Sequence, residues 1–140
     1  MWDTNTAIRA YLLEQTILTD IVEDRVHCPR LPHGTQLPAL GFFTRGGTSN
    51  PHISPIVTPS VQFDCWGDDP SVAREVYGAL YEALQGIQRQ EAITTVLYFP
   101  PFFYAYAILS AIEESQAQDL QDEIPSYFRC LAFFRIMIRT

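Results

Sequence analysis

Lysine is absent from this sequence: all nine basic residues are arginine, against sixteen acidic residues and a formal charge of −7. Proteins that hold nucleic-acid phosphates without sequence preference need clustered positive charge. We therefore expect DNA near this protein to be tolerated or repelled, not bound. Arginine forms fixed bidentate pairs at interfaces, so an arginine-only set of cations agrees with assembly, although the base composition of a genome would produce it too.

Charge of either sign is also scarce. Only 18% of the 140 residues are charged, whereas 47% are hydrophobic and 13% are aromatic. This length fits one domain, residues 1–140, that can bury a core without covalent staples. So apolar a composition favours a surface that is partly covered by partners, and self-association is the first expectation.

Cysteine is scarce and has no metal or disulfide spacing. Cys28, Cys65 and Cys130 are an odd number without a CxxC pair, and the N-terminus lacks a basic region followed by an apolar run. We therefore expect a reducing cytoplasm and no secretion. The longest uncharged stretch, Ala92 to Ile112, contains Pro100-Pro101 and several polar residues, which argues against a membrane helix.

The chain is organised around a strand followed by a helix. From Val57 to Cys65 apolar and polar residues alternate, which is the pattern of a strand with one buried face. Gly67 then breaks the extended run, Asp69 suits a helix cap and Pro70 suits the first helical position. An apolar stripe one helix face wide follows: Val72, Val76, Leu80, Leu84 and Ile87, with Ala73, Ala79 and Ala83 beside them.

Before this unit, the pattern predicts a short N-terminal helix capped by Thr4 or Asn5 and a second apolar turn ending at Val22. A short strand at Val26 and a Pro-rich loop lead to a Phe-rich strand, Ala39 to Arg45. We expect that strand to end at Gly46-Gly47, with residues 46–55 forming a mobile hairpin loop that contacts a partner.

After the helix, residues 92–101 are a β-prone insert interrupted by Pro100-Pro101. We expect a strand from Phe102 to Ile112 with both faces covered, then an acidic loop at residues 113–126. The last strand alternates most clearly. One side has Phe128, Cys130, Ala132, Phe134, Ile136 and Ile138, and the other has Arg129, Leu131, Phe133, Arg135, Met137 and Arg139. The first side should join the helix stripe in one core, and the second is suited to contact.

The order of these segments resembles the tail-completion or tail-terminator proteins of long-tailed bacteriophages, over nearly the whole chain. The most specific piece is a strand of the type V-Q-x-D-x-W, a Gly/Asp break and an Ala-rich helix, matched by Val61, Gln62, Asp64 and Trp66. The segment that runs from Asp24-Arg25-Val26 through prolines to Leu37-Pro-Ala-Leu40 is similar too. The insert at residues 92–101 departs from the family pattern.

The resemblance implies an α+β fold: a mostly antiparallel sheet packed by one long central helix, with a short N-terminal helix. It also implies a structural virion protein without cofactor or catalytic activity, assembled in the host cytoplasm. Copies would form a six-fold ring that caps the head-proximal end of the tail tube, stops tube growth and meets the tail tube protein and the head connector. DNA would pass through the lumen unbound, which an acidic surface favours by repulsion.

A heterologous ring needs two different complementary patches on each subunit. Our candidates lie on the Phe-rich strand, on the following loop and on the Arg side of the last strand. They are Phe42, Arg45, Gly46, Gly47, Asn50, His52, Arg129, Phe133, Arg135 and Arg139.

Two alternatives stay open. One is a head-completion or adaptor protein of the same neck. The other, of a different class, is a small cytoplasmic α+β enzyme or ligand-binding domain that uses Cys28 or Cys65. The spacing of His27, His33 and His52 with the cysteines supports neither a zinc site nor a catalytic thiol, and Asp64 is interpreted as a polar residue at the helix entry.

Overall fold

The computed structural model describes residues 4–49, 56–90, 107–121 and 127–139, and in this part of the chain three helices pack on one face of a six-stranded sheet. The helices are α1 (Thr4–Glu14), α2 (Thr16–Val22) and α3 (Pro70–Leu84). The strands are β1 (Val26–His27), β2 (Ala39–Ser49), β3 (Ile56–Gly67), β4 (Ile87–Gln90), β5 (Ala107–Gln121) and β6 (Phe128–Arg139).

The strand order across the sheet is β1-β2-β3-β6-β5-β4. Only the short β1 is parallel to its neighbour, and the other pairs are antiparallel. This confirms the α+β class with a mostly antiparallel sheet. The N-terminal helical region, the long central helix and the buried phase of β6 are as predicted.

Helix α3 begins as its sequence predicts. The Asp69 carboxylate accepts a hydrogen bond from the Ser71 backbone N–H at 2.9 Å, and Pro70 occupies the first turn, where a missing N–H has no cost. The helix ends at Leu84, and Gly86 follows with φ 76°. Ile87 therefore starts β4 and does not extend the apolar stripe of α3, because the left-handed residue turns the chain away first.

The core lies between α3 and the central strands. The buried cluster contains Val61, Phe63, Cys65, Cys130, Phe134 and Ile136 together with Val76, Leu80 and Leu84, and Phe128 packs against it. Phe63 contacts Phe42 on one side and meets Phe134 edge to face on the other, with ring centroids 5.7 Å apart in the second pair. Helix α1 joins this core through Tyr11, whose hydroxyl donates to the Ala83 carbonyl at 2.7 Å.

Strand β2 does not end at the two glycines as predicted. Residues 46–49 continue the strand, and the register against β3 shifts between Thr44 and Gly47. Gly47 has φ 145°, and a Cβ there would lie 2.3 Å from the Thr58 carbonyl oxygen. Glycine therefore allows the strand to bulge and continue, whereas the prediction assumed that it stops pairing. Residues 50–55 of the predicted hairpin loop lie outside the described part.

Strand β5 also differs from the prediction. Residues 113–121, which we expected to form an acidic loop, continue the strand and pair with β6. Register shifts after Ile108 place Ala111 opposite the core residue Ile136 and Ile112 opposite Arg135, so Ile112 is 57% exposed and not covered. The insert at residues 92–101 and the end of the acidic segment at 122–126 lie outside the described residues.

None of the helices in the described ranges is long and apolar enough to cross a membrane.

Candidate subunit interface: the helix-free face of the sheet

The side of the sheet opposite the helices is the candidate interface, and we call it the open face. It follows from the alternation of strands, because every second residue of β3 and β6 points away from the helical core. Its members include Arg45, Ser60, Gln62, Asp64, Trp66, Ile112, Glu114, Arg129, Leu131, Phe133, Arg135, Met137 and Arg139.

One end of this face is covered by the chain itself. The loop of residues 28–38 crosses it at Gly41, where an added Cβ would lie 3.3 Å from the Leu31 backbone nitrogen. Residues of this loop and Trp66 line a small pocket together with Tyr127. Gly41 therefore permits a close approach of the loop backbone. Within the described part of the chain, the rest of the face, towards the exposed Arg135 and Arg139, is left available for a partner.

Arg45 binds across the available part of the face. Its guanidinium lies 4.3 Å from the centroid of the Phe133 ring on β6 and donates to the Ser60 hydroxyl at 3.1 Å. Ser60 in turn donates to Glu114 on β5 at 2.6 Å. The predicted candidates Arg45 and Phe133 are thus brought together, because the long arginine side chain reaches across β3, the strand between theirs.

Arg129 has a different environment from the other arginines of β6. Its guanidinium lies 5.2 Å from the centroid of the Trp66 ring, and its Nε is buried without a hydrogen-bond partner in the described part of the chain. An unsatisfied buried donor costs free energy of folding. Because the Arg129 side chain packs on Trp66 within the subunit, its replacement changes the subunit itself, whereas Arg135 and Arg139 are exposed and test contact alone.

Asp64 lies within β3, three residues before the strand ends, and not at the helix entry, contrary to our expectation. It is only 8% exposed and accepts a hydrogen bond from the Gln62 side chain at 3.3 Å. Burial raises the pKa of the Asp64 carboxyl, and the Gln62 hydrogen bond and the positive charge of Arg129 oppose that rise. The V-Q-x-D-x-W motif thus places its polar residues under the covered end of the open face, in a structural position.

Of the remaining predicted interface residues, the structure places some on the surface and one in the core. Gly46 and Gly47 are exposed on β2, as an interface role requires. Phe42, however, is fully buried among the core rings on the helix side, so its proposed interface role is wrong. The error arises because Phe42 and Phe43 are adjacent, and the sequence does not show which of two neighbouring aromatic residues points to the core. Asn50 and His52 lie outside the described residues.

Ser60, Ile112 and Glu114 also lie on this face, where the sequence did not predict them. Glu114 was assigned to a loop, and the phase of Ile112 depends on a register shift that has no signature in the residues. For Ser60 a signal existed, since it lies in the polar phase of a strand whose other phase is buried.

The cysteine side chains lie in positions that suit core packing and not catalysis. Cys65 and Cys130 are buried opposite one another on β3 and β6, and Cys28 is half-buried. Burial raises the pKa of Cys65, and it raises the pKa of Cys130 to about 11. A nucleophilic cysteine needs the opposite shift and access to substrate, so neither buried thiol suits catalysis. Among the residues that the structure describes, no group of three or more His, Cys, Asp or Glu side chains could hold a metal ion.

The sequence matches no protein-family model and no curated protein. A solved structure with the same fold is a chain in the virion of a native gene transfer agent particle. The superposition has a TM-score of 0.65 at 14% sequence identity and covers all of both chains. At this identity the likeness shows a common fold over the full length.

Proposed function

We propose that this chain is a structural protein of a phage-like virion that caps the head-proximal end of the tail tube. Copies form a ring, six-fold by the resemblance, that stops tube polymerisation and joins the tail to the head connector. The observation that carries the proposal is the full-length fold likeness to a chain of a virion particle. Fold does not by itself imply function, so the surface must also suit assembly.

The open face supports assembly in two ways. It combines arginines with half-buried apolar residues, which is the composition of an interface and not of a solvated surface. It also exposes Ile112, a large aliphatic residue that a partner could cover. We assign subunit or partner contacts to Arg45, Gly46, Gly47, Phe133, Arg135 and Arg139, and to Asn50 and His52 in the adjoining segment.

The charge of the chain fits a ring that DNA crosses. With a formal charge of −7 and no lysine, a lumen would repel phosphates over the Debye length of about 8 Å and would not retain them. An adaptor between the ring and the head, in the same neck, would share these properties. It would differ by binding the connector without stopping tube growth.

The test is a tube polymerisation assay with the tail tube protein of the same particle. Added chain should limit tube length and appear at one end of each tube in negative-stain images, and light scattering should show a ring mass for the free or tube-bound protein. Binding to the connector with no effect on tube length would support the adaptor role. A stable monomer that binds neither component would contradict both.

A further inference from the structure

The described part of the molecule is electrically two-sided. Four of the nine arginines, Arg45, Arg129, Arg135 and Arg139, belong to the open face, which has only Asp64 and Glu114 as described acids. The helical side is acidic: residues 4–25 and 68–85 contain eight acidic residues and three arginines. Two copies that meet through their open faces would place like charges together, whereas a head-to-tail contact places opposite charges together.

The helical side also has a groove, which we call the α3 groove, between α3 and β5. It is lined by Arg74, Tyr77, Gly78, Tyr81, Glu82, Glu113, Gln116 and Ala117. Several of its polar groups are already paired within the subunit. Arg74 donates to Asp119 at 2.7 Å, and the Tyr77 hydroxyl donates to Glu113. Glu75 and Glu82, by contrast, make no ion pair with the described residues.

Gly78 leaves a notch in the exposed surface of α3. Apart from its chain neighbours and the backbone of α3, no described atom lies within 4 Å of the position that its Cβ would take, so space within the subunit does not require a glycine there. Glycine inside a helix is destabilising relative to alanine. Tyr81, next to the notch, is 38% exposed, which gives the groove an uncovered aromatic wall. A close approach by another chain would account for both features.

A row of residues on β6 and a row on α3 have similar spacing. Arg135, Met137 and Arg139 are alternate residues on the same side of β6, with about 13 Å between the outer two. Glu75, Gly78 and Glu82 lie on one side of α3, with about 10.5 Å between the outer two. Long arginine side chains accommodate the difference. The two rows are complementary in charge and shape. Met137 lies between two arginines, and the Gly78 notch lies between two glutamates.

We propose that the Arg135–Met137–Arg139 row of one copy docks on the Glu75–Gly78–Glu82 row of α3 in the next copy. Met137 enters the notch beside Tyr81, and each arginine pairs with a glutamate. Methionine adapts to such a gap and makes favourable contacts with aromatic rings. Because the two rows lie on opposite sides of the same sheet, the contact is heterologous and closes into a ring when the rotation allows it. The inference rests on the proposed ring and names its two surfaces.

Charge reversal tests this pairing. One variant carries Arg135→Glu and Arg139→Glu, which reverse the β6 row. The other variant carries Glu75→Arg and Glu82→Arg, which reverse the α3 row. Each alone should lose the ring and fall to the chain mass of 15.9 kDa in light scattering, with an unchanged far-UV spectrum. An equimolar mixture should recover rings of alternating chains, because each reversed row then faces an opposite charge. Glu14→Arg with Asp20→Arg, an equal charge change on α1 and α2, should leave the ring intact.

The notch is tested separately. Gly78→Trp should block assembly without unfolding the subunit, and Gly78→Ala, which adds only one methyl group to the notch, should weaken assembly much less. Rings from both reversed chains on their own, or no rings in their mixture, would overturn the pairing while the wild-type ring stands. A wild-type chain that never exceeds its monomer mass, even with tail tubes present, would overturn the proposed function as well.

Discussion

Arg45 and Glu114 lie on strands three positions apart in the sheet, yet their side chains approach to 4.0 Å on the open face. Both are partly exposed, so the pair should contribute little to stability. A double-mutant cycle with Arg45→Ala and Glu114→Ala should give a coupling below about 1 kcal/mol that decreases as salt rises.

The pair of Arg74 and Asp119 provides a control for that cycle. It is shorter, at 2.7 Å, but its carboxylate is more exposed, at 67% against 24% for Glu114, so its coupling should also stay below about 1 kcal/mol. A coupling of several kcal/mol between Arg45 and Glu114 would mean that the open face is desolvated in the isolated subunit.

Phe134 tests the core. It is fully buried and packs edge to face on Phe63, so Phe134→Ala should lower the free energy of unfolding by about 3 to 5 kcal/mol. Ile112→Ala is the matched control: its side chain is 57% exposed, and the change should stay within about 0.5 kcal/mol. Denaturant unfolding measures both. A small effect at Phe134 would contradict the observed phase of β6.

Asp64 predicts a pH dependence. Its pKa in the folded state is raised, so the folded chain binds its proton more tightly than the unfolded chain does. Stability from this group is therefore greatest at low pH and is lost as pH rises from the ordinary carboxyl pKa through the raised one. Asp64→Asn should stabilise the subunit at neutral pH, with a benefit that shrinks as pH falls through this window. Equal benefit at pH 3 and pH 7 would refute the raised pKa.

The cysteines should react unequally. In the native chain at pH 8 iodoacetamide should label Cys28 first, because Cys65 and Cys130 are buried and their pKa values are raised. All three should react in denaturant, and mass spectrometry of peptides distinguishes the sites. Rapid native labelling of Cys65 would revive the hypothesis of a thiol enzyme.

The alternation of apolar and polar residues predicted β3 and β6 because each strand has one buried face. In such a strand every second residue is apolar, and these residues identify the side that points to the core. The same logic failed at β5. Residues 113–121 lie where β4 no longer pairs, so they are polar on both sides and resemble a loop. The prediction that β2 ends at Gly46-Gly47 was wrong because glycine occurs both at strand ends and at bulges within a strand.

The candidate site was predictable only in part. The exposed positions of Arg135 and Arg139 follow from the phase of one strand. The contact of Arg45 with Phe133, and that of Arg129 with Trp66, depend on the order and register of β2, β3 and β6. Neither is encoded in a local pattern, because both join residues far apart in the chain.

Strand β6 is made last among the described elements, but it lies in the interior of the sheet, between β3 and β5. A nascent chain that has not yet emerged past residue 127 has β3 and α3 without the strand that completes their core. Contacts of such long sequence separation form late and slowly. In the proposed ring, incomplete chains would therefore lack both the folded core and the arginine row, so they could not take the place of finished subunits.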